Sequence, residues 1–475
     1  MKICFILEGN YPYVRGGVST WVDSYIRSLP QHDFVLWTIT DVESKQGKFV
    51  YQLPKNATEI NENFLGTSFK LRINKNPNLK FSAREREAIG QLLRCADPDW
   101  AVLLDLFHLH SEKPVEFFLS EEFLSMLKEL AREKFPLASF SDLFWTVRSM
   151  FLPLLFLMGQ PMPQADLYHS PSTGYAGVLA ALASKKYNKP FVLTEHGIYT
   201  REREEEILRS EWVIPYFKDY WISMFTMFAR LAYQQASRVT SLYRRASLIQ
   251  QELGCSPEKC DVVPNGLKFD VYECIPEKQN NDWVDIAAIV RFAPIKDVKT
   301  MIYSFSQLKQ EFHNVRLHIL GGVDDEEYHQ ECLELIQYLD VQDIIMPGNV
   351  NVIQYLENID FTILTSLSEG QPFAVLESMA AGRPVIATDV GCCRELIEGD
   401  IGDKFDHAGI CVPPMHQSRL LQALTQLCGN ATLRKNMGQA GRQRIAAHYK
   451  IEDVMNDYQK VYEKAQATWQ ASVLN

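Results

Sequence analysis

The chain has 475 residues and a formal net charge of −11, with 46% hydrophobic and 23% charged residues. Chains of this length usually divide into two or more domains, and the composition is that of a globular protein. The acidic balance argues against a protein that binds nucleic acid through clustered Lys and Arg, although it leaves room for a local basic pocket that takes a phosphate ligand.

The N-terminal residues begin an alternation of strands and helices. KICFIL is a short apolar run typical of a buried parallel strand, a loop with Gly16-Gly17 follows, and residues 18–29 carry apolar residues at helical spacing. FVLWTI is the next predicted strand. This alternation predicts a parallel sheet with helices on its faces, as in doubly wound α/β folds.

A charged, helix-rich stretch interrupts the alternation at about residues 56–165, and we predict a helical insertion there. The strand pattern resumes with DLYHS, FVLTE, RVTSL and DVVP and ends near Pro264. REREEEILRSE, residues 201–211, is interpreted as a solvated helix face. Residues 1–265 are therefore predicted to form an N-terminal Rossmann-like domain that contains the insertion.

A second domain is predicted after VPNG, residues 263–266, which is a turn signal. Strands recur at VDIAAIV, VRLHIL, FTILT and PVIAT, with helices between them. We expect a second Rossmann-like domain over residues 266–440 and C-terminal helices over residues 441–475, with no closing strand.

The chain is expected to be cytoplasmic. The apolar part of MKICFILEGN is too short for a signal peptide, and the longest apolar run, MFLPLLFLMG, has about half of the ~20 residues that span a bilayer. Ten cysteines lack zinc-site spacing, which favours reduced thiols. The aromatic-rich segment YFKDYWISMFTMFARL, residues 216–231, is either a buried core helix or a docking surface for a membrane-associated partner.

The strongest motif is SEGQPFAVLE, residues 368–377, which follows an apolar strand. A helix is predicted to start at Pro372 or Phe373, and the free amides of its first turn would attract anionic phosphate. Glu377 lies within this helix and is suited to accept hydrogen bonds from ribose hydroxyls. Glu369 lies in the loop before the helix and is suited to accept them from hexose hydroxyls.

Three further motifs follow predicted strands or open predicted helices. VRFAPIKD, residues 290–297, carries Arg291 and Lys296, two cations that can neutralise a diphosphate without a metal ion. Gly16-Gly17 permits close approach of a ligand to the backbone, although it is not the GxGxxG dinucleotide fingerprint. His196 comes directly after a strand, where ligand groups belong in such folds.

The E-x7-E spacing of Glu369 and Glu377, with AAGRPVIATDVG after it, resembles family 4 of the GT-B glycosyltransferases. The resemblance implies two Rossmann-like domains with the donor in the cleft between them and a helical tail that crosses back. It implies catalytic roles for His196, Arg291, Lys296 and Glu369. The donor-binding residues that it implies are Gly16, Gly17, Arg291, Lys296, Glu369, Gly370, Gln371, Pro372, Phe373 and Glu377. The chain departs from the family at Val290, where Gly or Ala usually precedes the arginine.

YPYVRGGVSTWV, TEHGIYTRERE, VVPNG and RFAPIKD extend the likeness over nearly the whole chain. Together they are similar to the cytosolic glycosyltransferases of Pel exopolysaccharide systems. This resemblance implies a UDP-sugar donor, a growing polysaccharide as acceptor, and membrane proteins of the synthesis complex as partners. It also implies a retaining transfer without metal or cofactor, in which the leaving diphosphate deprotonates the acceptor.

Two other functions are weighed against this one. A nucleotide-cofactor oxidoreductase with two α/β domains lacks support because GxGxxG is missing. A non-catalytic sugar-nucleotide-binding subunit would have no need of the intact set Arg291, Lys296, Glu369 and Glu377. The D-x-D sequence Asp97-Pro98-Asp99 is interpreted as a helix end rather than a metal site.

Overall fold

A computed structural model describes residues 1–9, 11–69, 79–110, 113–279 and 281–474. The chain divides into two units, one of Met1–Val262 with Tyr458–Asn475 and one of Val263–Asp457. Each unit is built on a parallel sheet with helices on its faces. The predicted fold class, two Rossmann-like α/β domains, is therefore confirmed.

The first unit contains a seven-stranded parallel sheet. In chain order, its strands are β1 Lys2–Glu8, β2 Asp33–Thr40, β3 Ala57–Phe64, β4 Leu167–Ser170, β5 Phe191–Glu195, β6 Arg238–Ser241 and β7 Cys260–Val262. They lie in the order β3-β2-β1-β4-β5-β6-β7. The direction of winding reverses between β1 and β4, and such a reversal opens a ligand crevice at the carboxyl ends of the strands.

Within the described ranges, ten α-helices of the first unit precede residue 253. They are α1 Gly17–Ser28, α2 Ala83–Leu93, α3 Trp100–Phe107, α4 Lys113–Phe118, α5 Glu121–Lys134, α6 Phe140–Met158, α7 Tyr175–Tyr187, α8 Tyr199–Arg209, α9 Lys218–Gln235 and α10 Arg244–Glu252. Helices α2 to α6 form the insertion, and their apolar faces share one hydrophobic core with β1, β2, α7 and α9.

The predicted start of the insertion at about residue 56 is wrong. Residues Ala57–Phe64 form β3, which pairs in parallel with β2 at the edge of the sheet. The sequence ATEINENF is mostly polar, because an edge strand has few neighbours to bury its side chains and does not need the apolar run of a central strand. The helices of the insertion begin only at Ala83.

The aromatic segment proposed as a docking surface is a core helix instead. Most of it lies in α9, where Trp221 and Phe225 are only 9% and 8% exposed and belong to the core of the first unit. The docking interpretation of this segment is therefore wrong, because the aromatic side chains of α9 are already packed within the unit, and Tyr216 before it is the exposed exception.

Among the described residues, one helix has the length and composition needed to cross a membrane, namely α6. Its most apolar window has a mean hydropathy of 1.3, and 56% of that window is buried. Most of the buried side chains of α6 belong to the same core as α9, as expected for an internal helix of a folded unit.

The second unit contains a six-stranded parallel sheet in the order β10-β9-β8-β11-β12-β13. Its strands are β8 Val284–Ile289, β9 Val315–Leu320, β10 Ile344–Gly348, β11 Phe361–Leu364, β12 Val385–Thr388 and β13 Gly409–Val412. The winding reverses between β8 and β11. The two edge strands, β10 and β13, are absent from the sequence-based prediction, since both are short and the first contains Pro347.

The remaining helices are α11 Phe269–Glu273, α12 Val298–Glu311, α13 Glu326–Tyr338, α14 Val352–Leu356, α15 Phe373–Ala380, α16 Cys393–Glu398, α17 Gln417–Gly429, α18 Ala431–His448 and α19 Ile451–Leu474. The C-terminal tail was predicted to begin at residue 441. The boundary between the two units lies later in the chain, because residues up to Asp457 belong to the second unit. From Tyr458 onward α19 belongs to the first unit, where Tyr462 Oη lies 2.8 Å from His169 Nδ1.

Candidate functional site

Two loops at the carboxyl edge of the second sheet are hydrogen-bonded to each other. The loop after β8 contains a short 3₁₀ helix, Pro294–Lys296, and the loop after β11 begins at Thr365. Thr365 Oγ1 donates to the carbonyl oxygens of Lys296 and Asp297, both at 3.0 Å. Leu367 N donates to Ile295 O at 2.8 Å. The bonds of Thr365 thus join two motifs whose bonded residues lie 69 and 68 positions apart in sequence.

Lys296 and Glu369 form an ion pair at this junction. Lys296 Nζ lies 2.6 Å from Glu369 Oε1, and the two side chains are only 20% and 11% exposed. Ser366 Oγ donates to the same carboxylate oxygen at 2.6 Å. A cation and a carboxylate are thus held together at the sheet edge where ligands bind, and an incoming anion would compete with Glu369 for Lys296.

Arg291 is placed differently from Lys296. Its side chain is 58% exposed and forms an ion pair with Asp324, which follows β9. The structure therefore brings Lys296 to Glu369 but pairs Arg291 with a residue that the sequence motifs do not include. Asp324 is one of several consecutive acidic residues after β9, and nothing in the sequence distinguishes it from the others.

The start of α15 presents the first turn of a helix at the same edge. Pro372 occupies the N-cap position, and its carbonyl accepts hydrogen bonds from Val375 N at 3.1 Å and Leu376 N at 3.4 Å. Among the described residues, no side chain caps this helix. The first-turn amides of Phe373 and its neighbour are thus left for a ligand, and a helix N-terminus of this kind favours an anion.

Backbone contacts fix the loop that leads into α15. Gln371 Oε1 accepts a hydrogen bond from Asn265 N, and Gly370 O accepts one from Cys392 N at 3.1 Å. Gly391 has φ +55°, and a Cβ there would lie 2.3 Å from the carbonyl oxygens of Glu369 and Gly370. Glycine is required at position 391 because its backbone is left-handed and packs directly against this loop.

Glu377 is partly buried on α15 and has one side-chain partner. Tyr272 Oη donates to Glu377 Oε1 at 3.0 Å. Burial raises the pKa of the Glu377 carboxyl group, and the hydrogen bond from Tyr272 opposes that rise. Tyr272 was missed by the sequence analysis, since it lies about 100 residues before Glu377 and belongs to none of the motifs.

Gly16 and Gly17 lie at the start of α1 in the first unit and are exposed. Gly16 has φ 173°, an extended conformation open to any residue, and Gly16 O accepts a hydrogen bond from Thr20 N at 2.9 Å. A Cβ at either glycine would meet no atom within 4 Å. Neither backbone conformation nor packing within the protein therefore requires glycine here, and the open space suits a ligand that approaches the backbone closely.

His196 follows β5 at the carboxyl edge of the first sheet. Its Nε2 atom is enclosed and has no hydrogen-bond partner among the described residues. Burial lowers the pKa of the imidazole to about 3, so the ring is neutral at neutral pH. Trp21, on α1, contacts the ring edge-on with 4.4 Å between centroids. His196 thus carries a neutral ring nitrogen that no described group satisfies.

Two glutamates at strand ends were missed by the sequence analysis. Glu8 ends β1 and accepts hydrogen bonds from Ala176 N at 3.2 Å and Tyr199 Oη at 3.1 Å. Glu195 ends β5, is fully buried, and accepts hydrogen bonds from Tyr233 Oη at 2.6 Å and other groups. Burial raises the pKa of both carboxyl groups. Their position at the carboxyl ends of predicted strands is the sequence signal that could have identified them as candidate site residues.

Asp99 serves as the N-cap of α3. Its Oδ1 accepts a hydrogen bond from Val102 N at 3.3 Å at the start of α3, and its carboxylate pairs with Arg84 at 2.8 Å. Within the described ranges, no group of three or more His, Cys, Asp or Glu side chains is arranged to hold a metal ion. The residues of the D-x-D sequence thus have a structural use.

Comparisons with known proteins agree with this division of the chain. Residues 1–258 match the family model described as a domain of unknown function, DUF3492, and residues 276–444 match the model of glycosyl transferases group 1. MMP alpha-(1->4)-mannosyltransferase of Mycolicibacterium hassiacum is 26% identical over 287 residues, which cover 59% of this chain and 66% of the relative. The chain thus spans slightly less than two thirds of that relative.

A capsular polysaccharide biosynthesis glycosyltransferase, CapM of Staphylococcus aureus, is 21% identical over 69% of this chain and 82% of the relative. The crystal structure of Anabaena HepE in complex with UDP superposes with a TM-score of 0.61 at 14% identity, covering 98% of this chain and 100% of that protein. This structural likeness supports the two-sheet fold described above.

Proposed function

The chain is a member of the DUF3492 family whose second unit carries a group 1 glycosyltransferase domain, and from that premise we propose that it transfers a hexose from a UDP-sugar to a growing exopolysaccharide. The proposed transfer retains the anomeric configuration and uses neither a cofactor nor a metal ion. The observation that carries the proposal is the Lys296–Glu369 pair, which lies just before the uncapped start of α15.

The second unit supplies the donor-binding groups in this proposal. Lys296 and Arg291 contact the diphosphate, and the first-turn amides of α15 add further donors to its oxygens. Glu377 accepts hydrogen bonds from the ribose hydroxyls. Glu369 accepts them from the hexose once the diphosphate has taken over Lys296. The pairing of Lys296 with a carboxylate supports this assignment, because the two loops bring opposite charges to bonding distance.

In the proposed reaction, the bond between C1 of the hexose and the β-phosphate oxygen breaks while the acceptor oxygen bonds to C1 from the same face. The proton of the acceptor hydroxyl passes to the departing β-phosphate oxygen, so the products are UDP and the lengthened glycoside. Negative charge grows on the diphosphate as the bond breaks. Preorganised cations and amides stabilise that charge more in the transition state than in the bound donor.

The first unit is assigned to the same reaction through Gly16-Gly17 and His196. The space beside the two glycines and the unsatisfied Nε2 of His196 support this assignment. A neutral imidazole suits contact with a sugar hydroxyl, which can donate to it or accept from it. The resemblance to the Pel glycosyltransferases and the likeness to a capsular polysaccharide enzyme support a polysaccharide acceptor, a cytoplasmic location and membrane proteins as partners.

Turnover of a nucleotide-sugar panel tests the proposal. UDP-, ADP- and GDP-sugars are incubated with the protein, released nucleotide is measured, and the anomeric configuration of the product is read by NMR. UDP should also raise the melting temperature by mass action, whereas NAD should not. We expect turnover with a UDP-sugar, retained configuration, and the same rate after EDTA treatment.

Three results would contradict the proposal. A larger thermal shift with ADP or GDP than with UDP would overturn the assignment of the base. Tight UDP-sugar binding without turnover to water or a sugar acceptor would indicate a non-catalytic binding subunit. Loss of activity with EDTA that Mg²⁺ restores would overturn the metal-independent mechanism.

A further inference from the structure

Two thiols of the first unit lie in contact beside the edge strand β7. Cys260 Sγ donates a hydrogen bond to Cys255 Sγ at 3.5 Å. Cys260 keeps part of its surface in solvent. Cys392 and Cys393, which are neighbours in sequence, are at most 1% exposed. A thiol pair that combines sulfur–sulfur contact with access to solvent has the two features that disulfide exchange requires.

The turn between α10 and β7 brings the two sulfur atoms together. Gly254, with φ +104°, follows α10, and Cys255 N donates to Gln250 O at 2.9 Å. A short 3₁₀ helix, Pro257–Lys259, then returns the chain to Cys260, the first residue of β7. The S–S bond of a disulfide is about 2.0 Å long, so the sulfur atoms must approach by roughly 1.5 Å more. Side-chain rotation and a small shift of the turn supply that movement, because β7 has a neighbouring strand on one side only.

Burial and charge distinguish the two thiols. Cys255 is 3% exposed, and burial raises the pKa of its thiol, with Cys260 adding to the rise. The ammonium group of Lys259 opposes that rise, and a hydrogen bond to Gln234 O at 2.7 Å holds it in place. The thiolate is the nucleophile in disulfide exchange, and it must reach the sulfur that it attacks. Cys260 is therefore suited to react with an external disulfide, and the enclosed Cys255 is suited to react with Cys260.

We propose that Cys255 and Cys260 form a thiol–disulfide exchange site whose substrate is a low-molecular-weight disulfide. The Cys260 thiolate attacks one sulfur of that disulfide, a mixed disulfide forms on Cys260, and the first small thiolate leaves. Cys255 then gives up its proton and attacks Cys260 Sγ, which forms the disulfide within the protein and releases the second small thiolate. The protons of the two protein thiols end on the released thiolates. The protein thus loses two electrons, and the small disulfide gains them.

Helix α10 connects the thiol pair to the carboxyl edge of the first sheet. Gln250, whose carbonyl oxygen accepts the hydrogen bond from Cys255 N, donates through its Nε2 to Glu195 Oε2 at 2.9 Å. Glu195 is the last residue of β5. The disulfide therefore restrains the end of the helix that holds Glu195, and backbone amides in this part of α10 should exchange more slowly with solvent. The site is independent of the proposed sugar transfer, so failure of either leaves the other standing.

Oxidised glutathione is the probe for this site. Cys274→Ser removes an exposed thiol of the second unit and gives the starting protein. After incubation with glutathione, free thiols are alkylated in denaturant, and tryptic peptides are identified by mass spectrometry. Cleavage after Lys259 separates the two cysteines, so the disulfide joins peptide 246–259 to peptide 260–268. We expect these linked peptides, together with alkylated Cys392 and Cys393 and slower amide exchange in α10.

Two serine variants of the starting protein separate the roles of the thiols. In Cys255→Ser, glutathione should remain on Cys260 as a mixed disulfide, because the resolving thiol is gone. Cys260→Ser should react at least about tenfold more slowly, because its thiol at position 255 is enclosed. Melting temperatures of the reduced variants show that both are folded. Absence of the linked peptides, or equal rates in the two serine variants, would overturn the exchange site. Amide exchange in α10 that oxidation leaves unchanged would overturn the restraint on the helix.

Discussion

The carboxyl edges of the two sheets differ in one respect, namely whether every polar residue of the predicted site has a partner within the protein. In the second unit, each charged residue of the candidate site has a partner: Lys296 has Glu369, Arg291 has Asp324, and Glu377 has Tyr272. In the first unit, Glu8 and Glu195 at the strand ends have hydrogen-bond partners, but His196 Nε2 has none among the described residues. A ligand at the second sheet must replace an existing partner, whereas a ligand that reaches His196 at the first sheet satisfies a nitrogen that folding leaves without one.

Lys296→Ala should have the largest effect, because it removes a cation from the partnered edge. UDP affinity should fall about ten- to a hundredfold, the cost of a charge-assisted contact. Turnover should fall further, since the charge on the leaving diphosphate grows in the transition state. Titration calorimetry with UDP and steady-state turnover of the UDP-sugar measure both effects. Lys299→Ala is the control, because Lys299 pairs with Glu331 on a more exposed surface. Equal losses in both variants would contradict a specific role for Lys296.

Glu369→Gln should affect transfer of the hexose without weakening the binding of UDP. The variant removes the anion that competes for Lys296, so UDP affinity should stay the same or increase slightly. Transfer from the intact donor should fall about tenfold, because a charged acceptor of the hexose hydroxyls becomes neutral. The same calorimetry and turnover assays provide the comparison. A loss of UDP affinity equal to that of Lys296→Ala would mean that Glu369 serves the nucleotide and not the hexose.

Gly16→Ala tests the ligand space at the start of α1 in the first unit. The melting temperature should hold or rise slightly, because the backbone is extended and the added methyl group meets no atom within 4 Å. Turnover should fall severalfold, since the methyl group fills the space assigned to the ligand. Gly174→Ala is the contrasting variant and should lower the melting temperature, because its Cβ would lie 2.6 Å from Glu8 Oε2 and Tyr199 Oη. Unimpaired turnover in Gly16→Ala would remove the ligand-based reason for glycine at that position.

The sequence predicted the two-sheet fold because central parallel strands are buried on both faces and leave apolar runs such as KICFIL and FVLTE. It missed the polar edge strand Ala57–Phe64 because edge position, which only the assembled sheet defines, relaxes that demand. Lys296 and Glu369 were predicted from local motifs. Asp324 and Tyr272, the partners of Arg291 and Glu377, were not accessible in this way, since neither belongs to a motif and only the folded sheet brings them close.

The smallest expected effect concerns pH and the Tyr272–Glu377 hydrogen bond. Ribose hydroxyls donate to the carboxylate form of Glu377, so UDP affinity should be full above the pKa of Glu377 and decrease as pH falls through it. Burial raises that pKa and the hydrogen bond from Tyr272 lowers it. Tyr272→Phe should therefore raise the pKa further and shift the loss of affinity to higher pH, with a difference of a few-fold at the most sensitive pH. In Glu377→Gln the side chain at this position does not titrate, so this pH dependence of UDP affinity should be absent.

Titration calorimetry across pH measures UDP affinity for all three proteins. The titration of UDP itself contributes equally to each series, so differences between the proteins report on residue 377. Identical pH profiles for the unaltered protein and Glu377→Gln would mean that Glu377 does not contact the nucleotide as a carboxylate.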